Sequence, residues 1–160
     1  MKNRQHAYEV TVKWTGDKGE GTLNYKCYER SHTISVDNKA DILCSSDLAF
    51  RGDKTKHNPE ELLLASLSSC HMLWYLHLCA EAGVIVVAYE DKATGTIVET
   101  SDGGGHFTAV TLHPEVKVTA ASMVEKANEL HKRASKLCFI ANSVNFPVNH
   151  NSSCRTVARS

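Results

Sequence analysis

The chain has 160 residues, of which 42% are hydrophobic and 22% charged, a composition typical of one ordinary globular domain spanning 1–160. Eighteen basic residues balance eighteen acidic ones, and no basic block indicates a nucleic-acid partner. The N-terminal residues MKNRQHAYEV lack the apolar core of a secretory signal, so we expect a cytoplasmic protein.

The first third of the chain carries strand signals. Alternation of apolar and polar residues in HAYEVTVKW (6–14) predicts a half-buried strand. After a glycine-rich turn, TLNYKCYE (22–29) and HTISVD (32–37) predict two more strands. Residues 38–57 form a long connection with mixed signals, and a connection of this length inside a compact domain is often functional.

One long helix is predicted over HNPEELLLASLSSCHMLWYLHLCAEAG (57–83). Asn58 fits the N-cap, Pro59 fits the first helical position, and Glu61 can reach back to the N-cap amide. Gly83 ends the helix, which would be about 36 Å long. Its middle is apolar almost all round, so we expect a central helix buried on most sides. Serines and histidines within it argue against a membrane span.

The second half of the chain alternates strand and helix signals. Residues 84–100 and 106–119 predict strands, 121–136 an amphipathic helix, 137–145 a further short helix, and 148–158 a closing strand. The resulting order, βββ–α–ββ–α–α–β, predicts an α+β domain.

Six cysteines are present, and none forms a CxxC pair. A structural zinc site therefore has little support, and we expect no metal. The cytosol would keep most of these thiols reduced. Four of them are expected to be small apolar residues that fill the interior: Cys27, Cys44, Cys79 and Cys154.

Cys70 lies near the middle of the long helix, about three turns from its start and beyond useful reach of the helix dipole. The thiolate is the reactive form of cysteine, so a reactive Cys70 needs a cation from elsewhere. Arg51, in the long connection within AFRGDK, is the best candidate. His71 and His77 are expected to be satisfied core histidines and not partners of the thiol.

Cys138 has a different expected environment. It falls near the start of the predicted short helix, with Arg133 and Lys136 close in sequence. A helix N-terminus and nearby cations lower the pKa of a thiol. A second thiol so placed could resolve an oxidised Cys70.

The stretch NPEELLLASLSSCHM, followed by a second cysteine in KLCFIANSVNFPV, resembles the OsmC/Ohr family of osmotically inducible and organic hydroperoxide resistance proteins. The resemblance covers roughly residues 7–157 and implies an intertwined homodimer. It also implies a thiol peroxidase that reduces organic hydroperoxides to alcohols at the dimer interface. Cys70 would then be the peroxidatic cysteine and Cys138 the resolving cysteine.

The same resemblance implies further site residues and partners. Glu60 matches the family's glutamate, and Arg51 is the candidate for its activating arginine. Glu60 and Cys70 lie about 15 Å apart along one helix, so either Arg51 bridges them or Glu60 comes from the partner chain. No metal or bound cofactor is implied; an external dithiol or lipoyl-type reductant restores the thiols. Phe139 follows Cys138 where many members have proline. The stretches AFRGDK and HNPEELLLASLSSCHMLWYLHLC resemble an uncharacterised subgroup of the family.

Two other functions remain open at this point. The first is a non-catalytic module in which the same fold binds a small lipid-like ligand. The second is a thiol redox sensor, or a hydrolase-like use of Cys70 with His71 or His77. An apolar wall would suit bulky organic molecules in each case, and its candidates are Leu73, Trp74, Phe139 and Phe146.

Overall fold

The computed structural model describes residues 4–157. The chain divides into two compact units, the first ending at Leu62 and the second beginning at Leu63. The expectation of a single domain over 1–160 stays a prediction. Each unit has its own sheet structure.

An antiparallel sheet organises the first unit. Its strands, in spatial order, are β1 (Thr11–Trp14), β2 (His32–Ser35) and β3 (Ile42–Cys44). The strand predicted at 22–29 is wrong, because this stretch forms turns. The Asn24 side chain accepts the Lys26 amide at 2.9 Å. An asparagine that bonds nearby backbone in this way competes with a strand ladder.

The long connection predicted at 38–57 has structure of its own. It contains β3 and then a 3₁₀ turn at Leu48–Phe50, which Asp47 caps by accepting the Ala49 amide at 2.8 Å. The connection folds back on β3, where the His57 amide donates to the carbonyl of Leu43 at 3.1 Å.

The long helix α1 (Pro59–Glu81) forms where the sequence predicts it. Glu61 donates its amide to the Asn58 side chain at 2.8 Å and accepts the Asn58 amide at 3.2 Å, which confirms the reciprocal capping. Gly83 follows the helix with φ +71°, a left-handed conformation that glycine adopts without a steric penalty.

A smaller part of the surface of α1 is buried than the sequence predicts. By length and composition alone this helix would pass for a membrane span. It is a core helix, because one stripe of it packs into two hydrophobic clusters of the second unit. The stripe consists of Leu67, His71, Tyr75, Leu78 and Cys79. Burial on most sides is wrong for the chain by itself, since Leu73 is 64% exposed.

Two mixed sheets complete the second unit. One has the order β4-β7-β9 and the other β5-β6-β8; each joins an antiparallel pair to a parallel one. The strands are β4 (Val86–Asp91), β5 (Thr94–Glu99), β6 (Gly105–Leu112), β7 (Pro114–Val118), β8 (Val148–His150) and β9 (Ser153–Thr156). The single strand predicted at 106–119 is two strands, because Pro114 has no amide hydrogen to continue the first ladder. The last predicted strand, 148–158, is likewise β8 and β9, and Ala158 lies outside the described residues.

The second helix, α2 (Val124–Leu137), packs its apolar face into the core through Ala127, Leu130 and Ala134. Of the one or two helical turns predicted over 137–145, the structure has one 3₁₀ turn at Ala141–Ser143 and no α-helix. The described chain therefore has two α-helices and not three, and the α+β class stands.

Candidate functional site

The two thiols of the predicted redox pair both belong to the second unit. Cys70 is half-buried on α1, one turn after the buried Leu67. Cys138 is the C-cap residue of α2, with φ −67° and ψ 111°, and is 1% exposed. The sequence separates them widely, and the packing of the two helices brings them together.

The Cys138 thiol lies next to Cys70, near enough for Cys70 to raise its pKa. Both residues are free thiols with no disulfide between them. The Cys138 sulfur also accepts the Ala141 amide at 3.4 Å, from the 3₁₀ turn that follows α2. The arrangement is a reduced dithiol in which the two cysteine side chains are neighbours.

Burial raises the pKa of the Cys138 thiol to about 11, and the neighbouring Cys70 acts in the same direction. The amide of Ala141 opposes this shift without overcoming it. The expected lowering of this pKa by a helix N-terminus is therefore wrong: Cys138 lies at the C-terminal end of α2, and the interior excludes water from it. Arg133 and Lys136 are exposed, so they do not offset that burial.

An exposed apolar surface adjoins the thiols along the chain. Trp74 and Phe139 meet edge to face with ring centroids 5.8 Å apart. Leu73, Trp74 and His77 line a shallow cavity of about 310 Å³. Phe139 is 65% exposed, so much of this surface is open in the single chain. Phe146 is not part of it and packs against Phe107 with centroids 5.5 Å apart.

The other two predicted site residues belong to the first unit. Arg51 is exposed, has φ +62°, and lies with its guanidinium carbon 6.0 Å from the centre of the Tyr25 ring. Glu60 is half-buried in the first turn of α1. Their roles beside the two thiols stay predictions.

A buried histidine network lies behind Cys70, and the sequence did not reveal it as a network. His71 and His131 are 1% and 0% exposed, and His71 Nε2 lies 3.0 Å from His131 Nδ1. Ser135 Oγ lies 3.5 Å from His71 Nδ1 and 3.2 Å from His150 Nδ1. Tyr75 stacks on the His131 ring at 3.9 Å.

Hydrogen-bond accounting assigns one direction to this chain of groups. His131 Nδ1–H donates to His71, His71 Nδ1–H donates to Ser135, and the Ser135 hydroxyl donates to His150. This direction leaves only a lone pair, and not a buried N–H, on the unpartnered His131 Nε2. Burial lowers the pKa of His71 to about 4 and that of His131 to about 3, so both are neutral at pH 7.

Helical spacing in α2 could have predicted that His131 is buried, because His131 falls on the same face as the apolar residues Leu130 and Ala134. His71 fits its expected role as a satisfied core histidine. That role is wrong for His77, which is 56% exposed and lies 3.4 Å from Glu81. Among residues 4–157, no group of three histidine, cysteine, aspartate or glutamate residues is arranged to hold a metal ion.

Comparisons with known proteins agree with this fold. The structure is similar to an OsmC-like protein of unknown function from Vibrio cholerae O1 biovar eltor, with 30% identity and a TM-score of 0.83, covering 92% of this chain and 99% of that one. An organic hydroperoxide resistance protein from Elizabethkingia anophelis with thiocyanate bound shares the fold at 21% identity and a TM-score of 0.68, covering 97% and 100% of the two chains.

A further Vibrio cholerae structure, described as an organic hydroperoxide resistance protein with captopril in one of its active sites, shares the fold at 21% identity and a TM-score of 0.62. This match covers 96% of this chain and 95% of that one. No curated protein matches the chain.

These features define an α+β protein of the OsmC-like class. The model of the OsmC family, described as OsmC-like protein, matches residues 52–153. The chain belongs to this family.

Proposed function

We propose that the protein is a thiol peroxidase that reduces organic hydroperoxides to alcohols. The observation that carries the proposal is the proximity of Cys70 and Cys138, two free thiols of the second unit. Family membership supports it, because relatives of the same fold are described as organic hydroperoxide resistance proteins.

The proposed reaction uses both thiols in order. The Cys70 thiolate attacks the terminal oxygen of ROOH, so that an S–O bond forms, the O–O bond breaks, and the departing alkoxide takes a proton from water to become the alcohol. Cys138 then attacks the sulfur of the Cys70 sulfenic acid, which forms the disulfide and releases water. An external dithiol, for example a lipoyl-type one, reduces the disulfide by thiol exchange.

The environment of Cys138 supports its place as the second thiol. With a pKa of about 11, it is almost entirely protonated at pH 7, so it is a poor first nucleophile. Its S–H can donate to a Cys70 thiolate before oxidation. After oxidation, the hydroxyl that leaves Cys70 can take up the Cys138 proton as the disulfide forms.

The exposed apolar surface beside the thiols supports an organic substrate. Trp74 and Phe139 offer a rim that would cover the hydrocarbon part of a bulky hydroperoxide. Hydrogen peroxide has no such part, so it would gain nothing from this surface.

The proposal also assigns roles to Arg51, to Glu60 and to a second copy of the chain. Arg51 would stabilise the Cys70 thiolate and Glu60 would orient Arg51, with one of them supplied by the partner of a cytoplasmic homodimer. Large apolar side chains exposed in both units support such a dimer, among them Val12 at 62% and Leu73 at 64%.

The direct test treats the reduced protein with one equivalent of cumene hydroperoxide and maps disulfides by peptide mass spectrometry. We expect a bond between Cys70 and Cys138, with cumyl alcohol released in equal amount. Untouched thiols would reject the peroxidase and favour a ligand-binding role. Oxidation of Cys70 without a bond to Cys138 would favour a thiol sensor.

Replacing Arg51 tests whether its positive charge stabilises the Cys70 thiolate. Arg51→Ala should slow the alkylation of Cys70 by iodoacetamide at pH 6 to 7, because less of the thiol would be ionised. The rate is read from the labelled Cys70 peptide. Lys54→Ala is the matched control, since it removes an exposed positive charge from the same connection. An alkylation rate in Arg51→Ala equal to that of the control would remove Arg51 from the site.

A further inference from the structure

The first unit contains a polar cleft of about 400 Å³, which we call the basic cleft. This volume is within the range of small-molecule sites in proteins. The charged side chains that line it are four cations and two carboxylates: Lys18, Lys26, Arg30, Arg51, Glu29 and Asp53. The cleft is therefore locally positive in a chain whose formal net charge is zero.

The two carboxylates already have partners. Glu29 pairs with Lys18 at 2.9 Å, and Asp53 pairs with Lys56 at 3.4 Å. A hydrogen bond from Lys18 lowers the pKa of the Glu29 carboxyl group, and hydrogen bonds from Thr55 lower that of Asp53. Both carboxyl groups therefore stay ionised and keep these partners. The ion pairs found among residues 4–157 include none of the other three cations of the cleft.

Arg30 is held in a fixed orientation. Its Nη1 donates to the Tyr28 carbonyl at 2.6 Å, and its Nη2 donates to the Tyr25 carbonyl at 2.7 Å. The guanidinium carbon lies 4.1 Å from the centre of the Tyr25 ring and 4.2 Å from that of Tyr28. These contacts use only part of the five N–H donors, and the positive charge has no carboxylate partner among the described residues.

Two buried hydroxyls add donors to the cleft. Ser31 and Ser45 are 7% and 1% exposed. Ser31 Oγ accepts Lys56 Nζ at 2.8 Å, and Ser45 Oγ accepts the Asp53 amide at 3.1 Å. In the bonds among the described residues each hydroxyl only accepts, so its own hydrogen is available to a ligand. The lining thus offers many donors and few free acceptors.

The turn that presents Arg51 is compact. Arg51 has φ +62°, and a Cβ on the next residue, Gly52, would lie 1.5 Å from the Ser46 carbonyl oxygen. Only glycine fits at that point, and the turn closes with the Gly52 amide donating to the Asp47 carbonyl at 2.9 Å. Arg51 therefore stands at the cleft on a closely packed turn.

We propose that the basic cleft binds a small organic molecule that carries a phosphate group. A phosphate supplies several acceptor oxygens and up to two negative charges, which match unpaired guanidinium and ammonium groups and free hydroxyl donors. The volume of the cleft exceeds that of a phosphate ion, so an organic part fits beside it. The cleft shares Arg51 with the peroxidase proposed above, but its binding of a phosphate group does not rest on that proposal.

The test measures binding by isothermal titration calorimetry, with glycerol phosphate, inorganic phosphate and citrate as probes. Cys70→Ser protein is used, so that failure of the peroxidase proposal has no bearing on the result. We expect saturable binding of glycerol phosphate that weakens as salt rises. Lys26→Gln combined with Arg51→Gln should weaken it about tenfold or more.

The matched control combines Lys13→Gln with Lys39→Gln, which removes the same charge from exposed positions of the first unit outside the cleft. It should bind as the parent does. Arg30→Lys keeps the positive charge but loses the planar guanidinium group and its several N–H donors, so this variant should also bind more weakly. Absence of saturable binding by any probe, or equal affinity in the Lys26 and Arg51 variant, would overturn the site. Binding of citrate alone would overturn the phosphate assignment.

Discussion

Cys138→Ser protein is expected to complete one reduction, consume a second equivalent of organic hydroperoxide through over-oxidation of Cys70, and then stop, even with a dithiol present. Without the second thiol, the Cys70 sulfenic acid has no neighbour with which to condense. A second hydroperoxide then oxidises it to sulfinic acid, which a dithiol does not reverse. Intact-protein mass spectrometry should show two oxygen atoms added to Cys70, and a coupled assay should show the loss of turnover.

Two further variants make this result specific. Cys70→Ser should consume no hydroperoxide at all, because it lacks the attacking sulfur. Cys27→Ser is the control: Cys27 is a half-buried thiol of the first unit, outside the pair, and its variant should keep repeated turnover. Repeated turnover of Cys138→Ser with a dithiol would contradict the resolving role.

Stability is expected to fall by about 4 kcal/mol between pH 7.5 and pH 5, about 2 kcal/mol for each of the two buried histidines. The folded-state pKa values, about 4 for His71 and about 3 for His131, lie below the ordinary value of 6.5. Below pH 6.5 the unfolded chain therefore binds protons that the folded chain does not. The stability that comes from the two neutral histidines is fully present well above pH 6.5. It is lost progressively as the pH falls towards 4.

The neighbouring charges affect the two histidines unequally. Asp91 favours the protonated form of His71, whereas His150 opposes it. Lys132 lowers the pKa of His150 after the larger effect of burial. Burial is the largest influence on His71 and His131, so the sign of the prediction does not depend on these charges.

Urea denaturation at pH 7.5, 6.5, 5.8 and 5 measures the effect. His131→Leu should lose roughly half of the pH dependence, because one of the two titrating imidazoles is gone. His77→Gln removes an exposed imidazole from the same helix as His71 and should leave the dependence intact. If the wild-type protein is equally stable at pH 7.5 and pH 5, the buried network is not neutral as described.

The sequence predicted best what depends on near neighbours in the chain. The ends of α1 follow from Asn58, Glu61 and Gly83, since a capping box and a left-handed glycine act within a few residues. The family also followed from the sequence, through a motif around Cys70 and the later Cys138. Alternation failed at 22–29, where a local bond from Asn24 outweighed the strand pattern.

Tertiary structure decided what depends on distant contacts. Cys138 was expected to be an activated thiol at a helix start, but α2 ends there and the core excludes water, so its pKa rises. The bond between His71 and His131 joins residues 60 positions apart, and no local pattern encodes it. The basic cleft likewise joins separate turns of the first unit, because side-chain charge is visible in a sequence but its pairing is set only by packing.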